Sequence, residues 1–340
     1  MSGPDADRGA GGRAPGSCDA PGRSVTARIL AAVDGWQRSH AAAAVPVAVL
    51  KKFADDRASS LAALMAYYAF LSLFPLLLAF VSVLGFVLEG DPSLQAEVID
   101  STLARIPVIG AQLDDEVAPL TGSALALAIG LAGAVWAGLG VMLALGRAFQ
   151  ELWDVPRLDQ RGPVRSRAYG VAALVVLAAV LVGSTALSGL AIGGGIGPAA
   201  ERLGALSLAL AANAAVFLAV FALLTQRPLV VRELLPGVAL AAAGSLVLQS
   251  LGGWYVDRAV TGAGDTYGTF ALVIGLLSWF WLGSHLLLLA AEVNVVLHRR
   301  LWPRSLTGDL EPADREALRR NAEAARQDRR QRIVVRFDDR

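Results

Sequence analysis

The chain has 340 residues, of which 55% are hydrophobic and 17% charged, and its formal net charge is +1. That much apolar surface excludes a soluble globular domain of this size and puts the chain in the membrane class. The lone Cys18 excludes an intrachain disulfide, and residues 1–23 hold no apolar stretch of the kind a cleavable secretion signal needs.

Residues 1–23 are rich in Gly, Pro and Arg and too poor in large apolar side chains to offset the entropy of ordering, which predicts a disordered tail. From Ser24 the pattern turns helical. Ile29, Leu30, Val33 and Trp36 share one face, with Arg28, Asp34 and Arg38 off it, as expected of an amphipathic helix lying in the membrane interface. Residues 39–50 are free of charge but too few to span, contain Pro46, and run into Lys51 and Lys52, so they are placed on the membrane surface too.

Six windows between charged residues are long enough to cross a bilayer: 58–88, 117–146, 168–200, 203–226, 234–256 and 266–291. Gly193, Gly194, Gly195, Gly197 and Pro198 divide the third from the fourth and predict a turn between two helices. All Lys and Arg residues except Arg105, Arg202 and Arg258 fall in the N-terminal region, the alternate loops or the C-terminal region. An excess of cations on one side marks the cytoplasmic face, so both termini are expected inside.

The first outer loop, 89–116, is acidic. Leu94, Val98, Thr102 and Arg105 suggest a short helix there, ended by Pro107 and Gly110. Asp114, Asp115 and Glu116 are consecutive and so point in different directions on a helix, which favours a solvated edge over a metal site. After Pro303 the chain becomes strongly charged and reads as a solvated helix or tail. Attraction of its Arg-rich stretch to anionic lipid head groups, about 1 kcal/mol per basic side chain near the surface, is the sharper alternative, weakened by interleaved acids.

The last apolar run, Thr266 to Leu297, contains Glu292, a carboxylate where lipid is expected. An ionisable group at such depth is costly and marks a functional candidate that needs a partner. His285 and Ser278 lie seven and fourteen residues before it, almost in register, and form a polar stripe beside Trp281. Tyr67, Tyr68 and Ser72 of the first span are the expected donors. Pro75 removes a backbone hydrogen bond and predicts a kink in that span. Together these residues are the candidates for a polar path or ligand contact; no catalytic or metal-ligating set is read from the chain, and no cofactor motif.

The motifs combine Asp55-Asp56-Arg57, Ala66-Tyr67-Tyr68 and Leu71-Ser72-Leu73-Phe74-Pro75-Leu76-Leu77 with Trp136 to Trp153 and its Arg147 and Asp154. Leu235-Pro236-Gly237, Tyr267-Gly268 and Ala291-Glu292-Val293-Asn294 follow. This pattern, over about residues 45–300, resembles the YihY/virulence factor BrkB family of bacterial inner-membrane proteins. Members commonly have Gly-Ala-Glu where this chain reads Ala290-Ala291-Glu292, a small-for-small change. The resemblance implies six membrane helices, a link to serum resistance in pathogens, and an older label of ribonuclease BN.

The residues disfavour the nuclease label. Metal-dependent hydrolysis of RNA needs clustered His and carboxylate ligands and a basic path for phosphates. The three histidines, His40, His285 and His298, have no ligand spacing with one another, and the acidic cluster falls on the outer side. No nucleic-acid partner is therefore expected; the expected partner is the lipid bilayer. The fold expected is an all-α polytopic membrane protein with six transmembrane helices and N-terminal interfacial amphipathic helices. Its parts are a tail at 1–23, interfacial helices at 24–57, the membrane domain at 58–298 and a charged cytoplasmic tail at 303–340. A secondary transporter or permease for lipids or small molecules fits the polar stripe, while a noncatalytic envelope component fits the same spans. An intramembrane enzyme lacks an evident nucleophile and base. Ala126, Gly130, Ala134 and Gly138 form a small-residue ridge for helix packing in the second span.

Overall fold

The computed structural model describes residues 25–87, 124–191, 198–227, 229–262, 264–307 and 310–337. The expected tail at 1–23, the acidic loop with its short helix and its Asp114 to Glu116 edge, and the turn glycines at 193–197 lie outside them. The described residues are all-helical apart from turns and loops. In chain order they form α1 (Val25–Ser39), α2 (Ala41–Asp55), α3 (Ala58–Val87), α4 (Ala124–Leu152), α5 (Pro163–Ala191), α6 (Pro198–Leu224), α7 (Val231–Gly262), α8 (Gly264–Arg299) and α9 (Pro312–Ala324).

Helices α3 to α8 are each long and apolar enough to cross a membrane. Sequential neighbours pack together and α8 returns against α3, which closes a six-helix ring. Glycines set the closest approaches. A Cβ on Gly130 of α4 would come within 2.7 Å of the Ala79 backbone nitrogen on α3, and one on Gly133 within 3.1 Å of the Pro75 ring. Gly138, by contrast, faces Leu174 of α5. The every-four ridge therefore does not stay on one interface, because four residues overshoot a helical turn by about 40° at each step. Gly244 against Leu286 and Gly252 against Trp279 track the antiparallel pair α7 and α8.

The buried apolar core is gathered toward one end of the ring, where Phe149, Leu152, Trp153, Phe221, Leu224, Leu288 and Ala291 meet. Over that end lies a polar cap made of α1, α2, the segment 300–307 and α9. Helix α2 packs Ala48 and Val49 on Val296 and Leu301. Arg304, almost fully buried, pairs with Asp55 and Asp314, each at 2.8 Å, and Lys51 reaches Asp314 at 2.8 Å. Hydrogen bonds from Lys51, Arg304 and the Ser305 amide hold the Asp314 carboxyl below the usual carboxylate range despite its burial. The C-terminal region is thus docked through residue 314 instead of leaving the bundle at Pro303 as a solvated tail. The reason is charge pairing, which apolar periodicity cannot register.

Helix α1 turns its polar side inward. Asp34 and Gln37 are buried against Arg304, Leu306 and Thr307, while Val33 and Trp36 are 45% and 59% exposed. An apolar stripe facing away from protein suits a helix lying against lipid.

Candidate functional site

The site is built where three helices end. The residues after α2, α4 and α8 adopt left-handed backbone conformations: Arg57 at φ 53°, Asp154 at φ 43° and Arg300 at φ 53°. Such residues terminate helices and reverse the chain. At Asp154 the reversal brings the carboxylate back under the bundle. There Asp154 accepts from Arg299 of α8 and lies 3.5 Å from the Lys52 ammonium of α2. Lys52 pairs with Asp56 one turn on and also donates to the Leu152 carbonyl at 3.3 Å. Arg299 donates in addition to the Trp153 carbonyl, and its guanidinium lies over the Trp153 ring.

Glu292 completes this cluster. It is 0% exposed, and neither carboxyl oxygen meets an N–H or O–H donor among the described residues. It faces the Lys52 ammonium and the Asp56 carboxyl, whose Oδ1 is also buried without a donor. Two carboxyl groups in contact form a hydrogen bond only when one of them carries a proton. Asp56 precedes the membrane span; burial raises its pKa to about 6, with Lys52 pulling the other way and Asp154 adding to the rise. Lys52 remains a cation: burial disfavours its charge, but Glu292, Asp56 and Asp154 more than offset that.

Three carboxyls therefore share two cations in a buried site, and the cluster is electrically balanced when one proton is held on the Asp56 and Glu292 pair. No group of three or more His, Cys, Asp or Glu among the described residues is arranged to hold a metal ion. Carboxyls placed this way can take up and release a proton at the junction of α2, α4 and α8.

The other expected residues lie nearby but not together. His285 contacts Ser59 of α3 through Nε2 at 3.2 Å and the Trp281 carbonyl through Nδ1 at 2.9 Å. His285 and Glu292 both face the start of α3, at Ser59 and Asp56, three residues apart. Ser278 is exposed. Ser72 donates to the Ala69 carbonyl at 2.7 Å, Tyr67 is exposed, and Tyr68 packs on the core. None of the expected donors from the first span reaches Glu292. Pro75 lies inside a continuous α3.

Nothing in the sequence marks Lys52 and Arg299 as partners of Glu292, and Asp56 and Asp154 stand there only as parts of the motifs. The available signal was the spacing of Lys52 and Asp56, four residues apart just before an apolar run, where an ion pair can be buried.

A sequence model of the family described as Virulence factor BrkB matches residues 49–314. Among curated proteins, the ribonuclease-like protein YfkH of Bacillus subtilis (strain 168) is 25% identical over 268 residues, covering 74% of this chain and 94% of that one. No solved structure matches significantly.

Proposed function

The chain belongs to the Virulence factor BrkB family, and from that premise we propose that it is a permease for a lipid or small molecule whose inner end is held by a proton-dependent latch. The observation that carries this reading is the buried Asp56 and Glu292 pair, short of a donor by one proton. A buried ionisable cluster is weak evidence of stability, since apolar packing of the same volume does as well or better. Its presence at the junction of α2, α4 and α8 is better explained by a role for the charge. Loss of the proton leaves an unbalanced carboxylate and favours separation of α8 from the α2–α3 junction, which is a bistable contact of the kind transport requires.

The membrane in this reading is the inner or plasma membrane, with both termini in the cytoplasm. The support is the gathering of Lys51, Lys52, Arg147, Arg161, Arg299 and Arg304 at the capped end of the ring. Solute moves by gradient or with a second subunit, since no nucleotide-binding glycine motif is present in the sequence.

A second reading, a noncatalytic envelope component, draws on the same cap, because the two ion networks tie both chain ends to the ring. Glu292→Gln separates them by keeping shape and removing charge. Under the permease reading the variant inserts and folds but fails to complement a deletion strain. Full complementation by a folded, inserted variant sinks the charge-dependent role and leaves the structural one.

A further inference from the structure

Beside the latch, and not part of it, a cavity of about 280 Å³ opens between the end of α4, the loop before α5 and the end of α6. Three arginines line it, Arg147, Arg161 and Arg167, and no acidic residue does. Arg161 is fixed in place. It donates to the Leu223 carbonyl at 2.9 Å and the Thr225 carbonyl at 3.3 Å, and its guanidinium lies 3.7 Å over the Tyr169 ring. Arg147 and Arg167 have no ion pair or hydrogen bond among the described residues, in contrast to Arg38, Arg299 and Arg304, which are all paired.

The rest of the lining is neutral and hydrogen-bonding. Ser166 donates to the Arg161 carbonyl at 3.1 Å, and Gln160 donates to the Val155 carbonyl at 3.3 Å. The remaining wall is apolar, with Met142, Leu143 and Leu224.

We propose that this cavity binds a phosphate-bearing anion between Arg147 and Arg167, with Arg161 and Tyr169 forming its rigid wall. Guanidinium groups without counter-ions in one cavity lining suit the charge of a phosphate group, and each offers it a fork of N–H donors. The size is at the lower end for small-molecule pockets, enough for a head group and too small for a whole lipid. The position fits a lipid source: Arg147 is in the last turns of α4 and Arg167 in the first turns of α5, the level at which a head group sits. Val171 and Val175, exposed on α5 one and two turns on from Arg167, offer an apolar track for acyl chains that stay in the bilayer. A soluble phosphate uses the same arginines without that track. The site does not depend on transport, so binding and permeation are read separately.

The test uses the full chain in detergent, probed by native mass spectrometry and thermal shift with phosphatidylglycerol, phosphatidylcholine and inorganic phosphate in turn. Phosphatidylglycerol is expected to bind above phosphatidylcholine. Arg147→Gln and Arg167→Gln are each expected to weaken it about tenfold, the value of one charge-assisted hydrogen bond. Arg232→Gln, exposed at the start of α7 and outside the cavity lining, is the control and leaves binding unchanged. Arginine-dependent binding of phosphatidylglycerol alone assigns a lipid head group. The same dependence with inorganic phosphate alone assigns a soluble anion, and with both it assigns the phosphate group itself. Absence of any arginine-dependent binding, or equal loss in the control, overturns the site. Should the variants fail to insert, the parent protein decides: binding must fall steeply with added salt, and salt-insensitive binding overturns the proposal as well.

Discussion

Asn294 of α8 accepts the backbone N–H of Gly237 on α7 through Oδ1 at 2.7 Å. The bond joins two short motifs that lie 57 residues apart in sequence. Gly237 directly follows Pro236 near the start of α7, and its N–H also serves the neighbouring helix. The approach is possible because Gly237 has no side chain: a Cβ there would strike the Ala290 carbonyl and the Asn294 amide.

Gly237→Ala is therefore expected to destabilise the α7–α8 pair by about 1–3 kcal/mol, the usual cost of forcing a methyl into a packed core. Asn294→Ala keeps the space but removes one hydrogen bond from a buried N–H, at about 0.5–1.5 kcal/mol. Denaturant unfolding of the purified protein measures both. An unchanged midpoint in Gly237→Ala would mean that the two helices are not held this closely.

The pH response follows from Asp56. Burial raises its pKa from 3.8 to about 6, so the folded chain keeps this proton to a higher pH than the unfolded chain does. Stability drawn from the protonated form is thus full below about pH 4 and is lost as pH rises through about 6. The groups facing it are Lys52 of α2, Asp154 after α4 and Glu292 of α8. Thermal unfolding of the solubilised protein between pH 4 and 7 is expected to show a falling midpoint, and Asp56→Asn to flatten it. A flat profile in the parent protein rules out this role for Asp56.

Much of this arrangement was legible in the sequence, and the reasons differ by element. The six membrane helices are written in long charge-free runs, because lipid forces every backbone group into intrahelical hydrogen bonds. The boundaries were less legible. α4 runs to Leu152 and α5 starts at Pro163, since charged residues such as Arg147 and Arg165 continue a helix once it leaves the apolar layer. Glu292 stood out because a carboxylate in a Leu-rich helix is anomalous. Its partners did not, because Lys52, Asp154 and Arg299 sit among other charged residues at helix ends, and only the left-handed turn at Asp154 shows which charge folds back.

Sidedness is testable on a Cys18→Ser background. Cysteines at positions 164 and 334, where Val164 and Val334 are exposed, should react only with a reagent that reaches the cytoplasm, and cysteines within 89–116 only with one that stays outside. Labelling of position 164 from outside contradicts the expected orientation.

The last prediction concerns Lys52, buried to 2% exposure between three carboxyl groups. Lys52→Met keeps much of the stem that packs at the end of the bundle and removes the charge. Asp56, Asp154 and Glu292 then face only Arg299, which already serves Asp154. Removing one member of a buried ion pair typically costs about 3–5 kcal/mol, mostly through the charge left behind. The variant is therefore expected to unfold far earlier than the parent at neutral pH and to regain part of the loss on acidification, as a carboxyl takes up the missing positive charge in the form of a proton. Asp56→Asn added to Lys52→Met should also recover stability, because it deletes the carboxylate that Lys52 served. The double-mutant cycle measures that coupling. Additive losses, with no recovery in the double variant and none at low pH, would show that Lys52 acts through packing alone and that the cluster is not a charge-balanced unit.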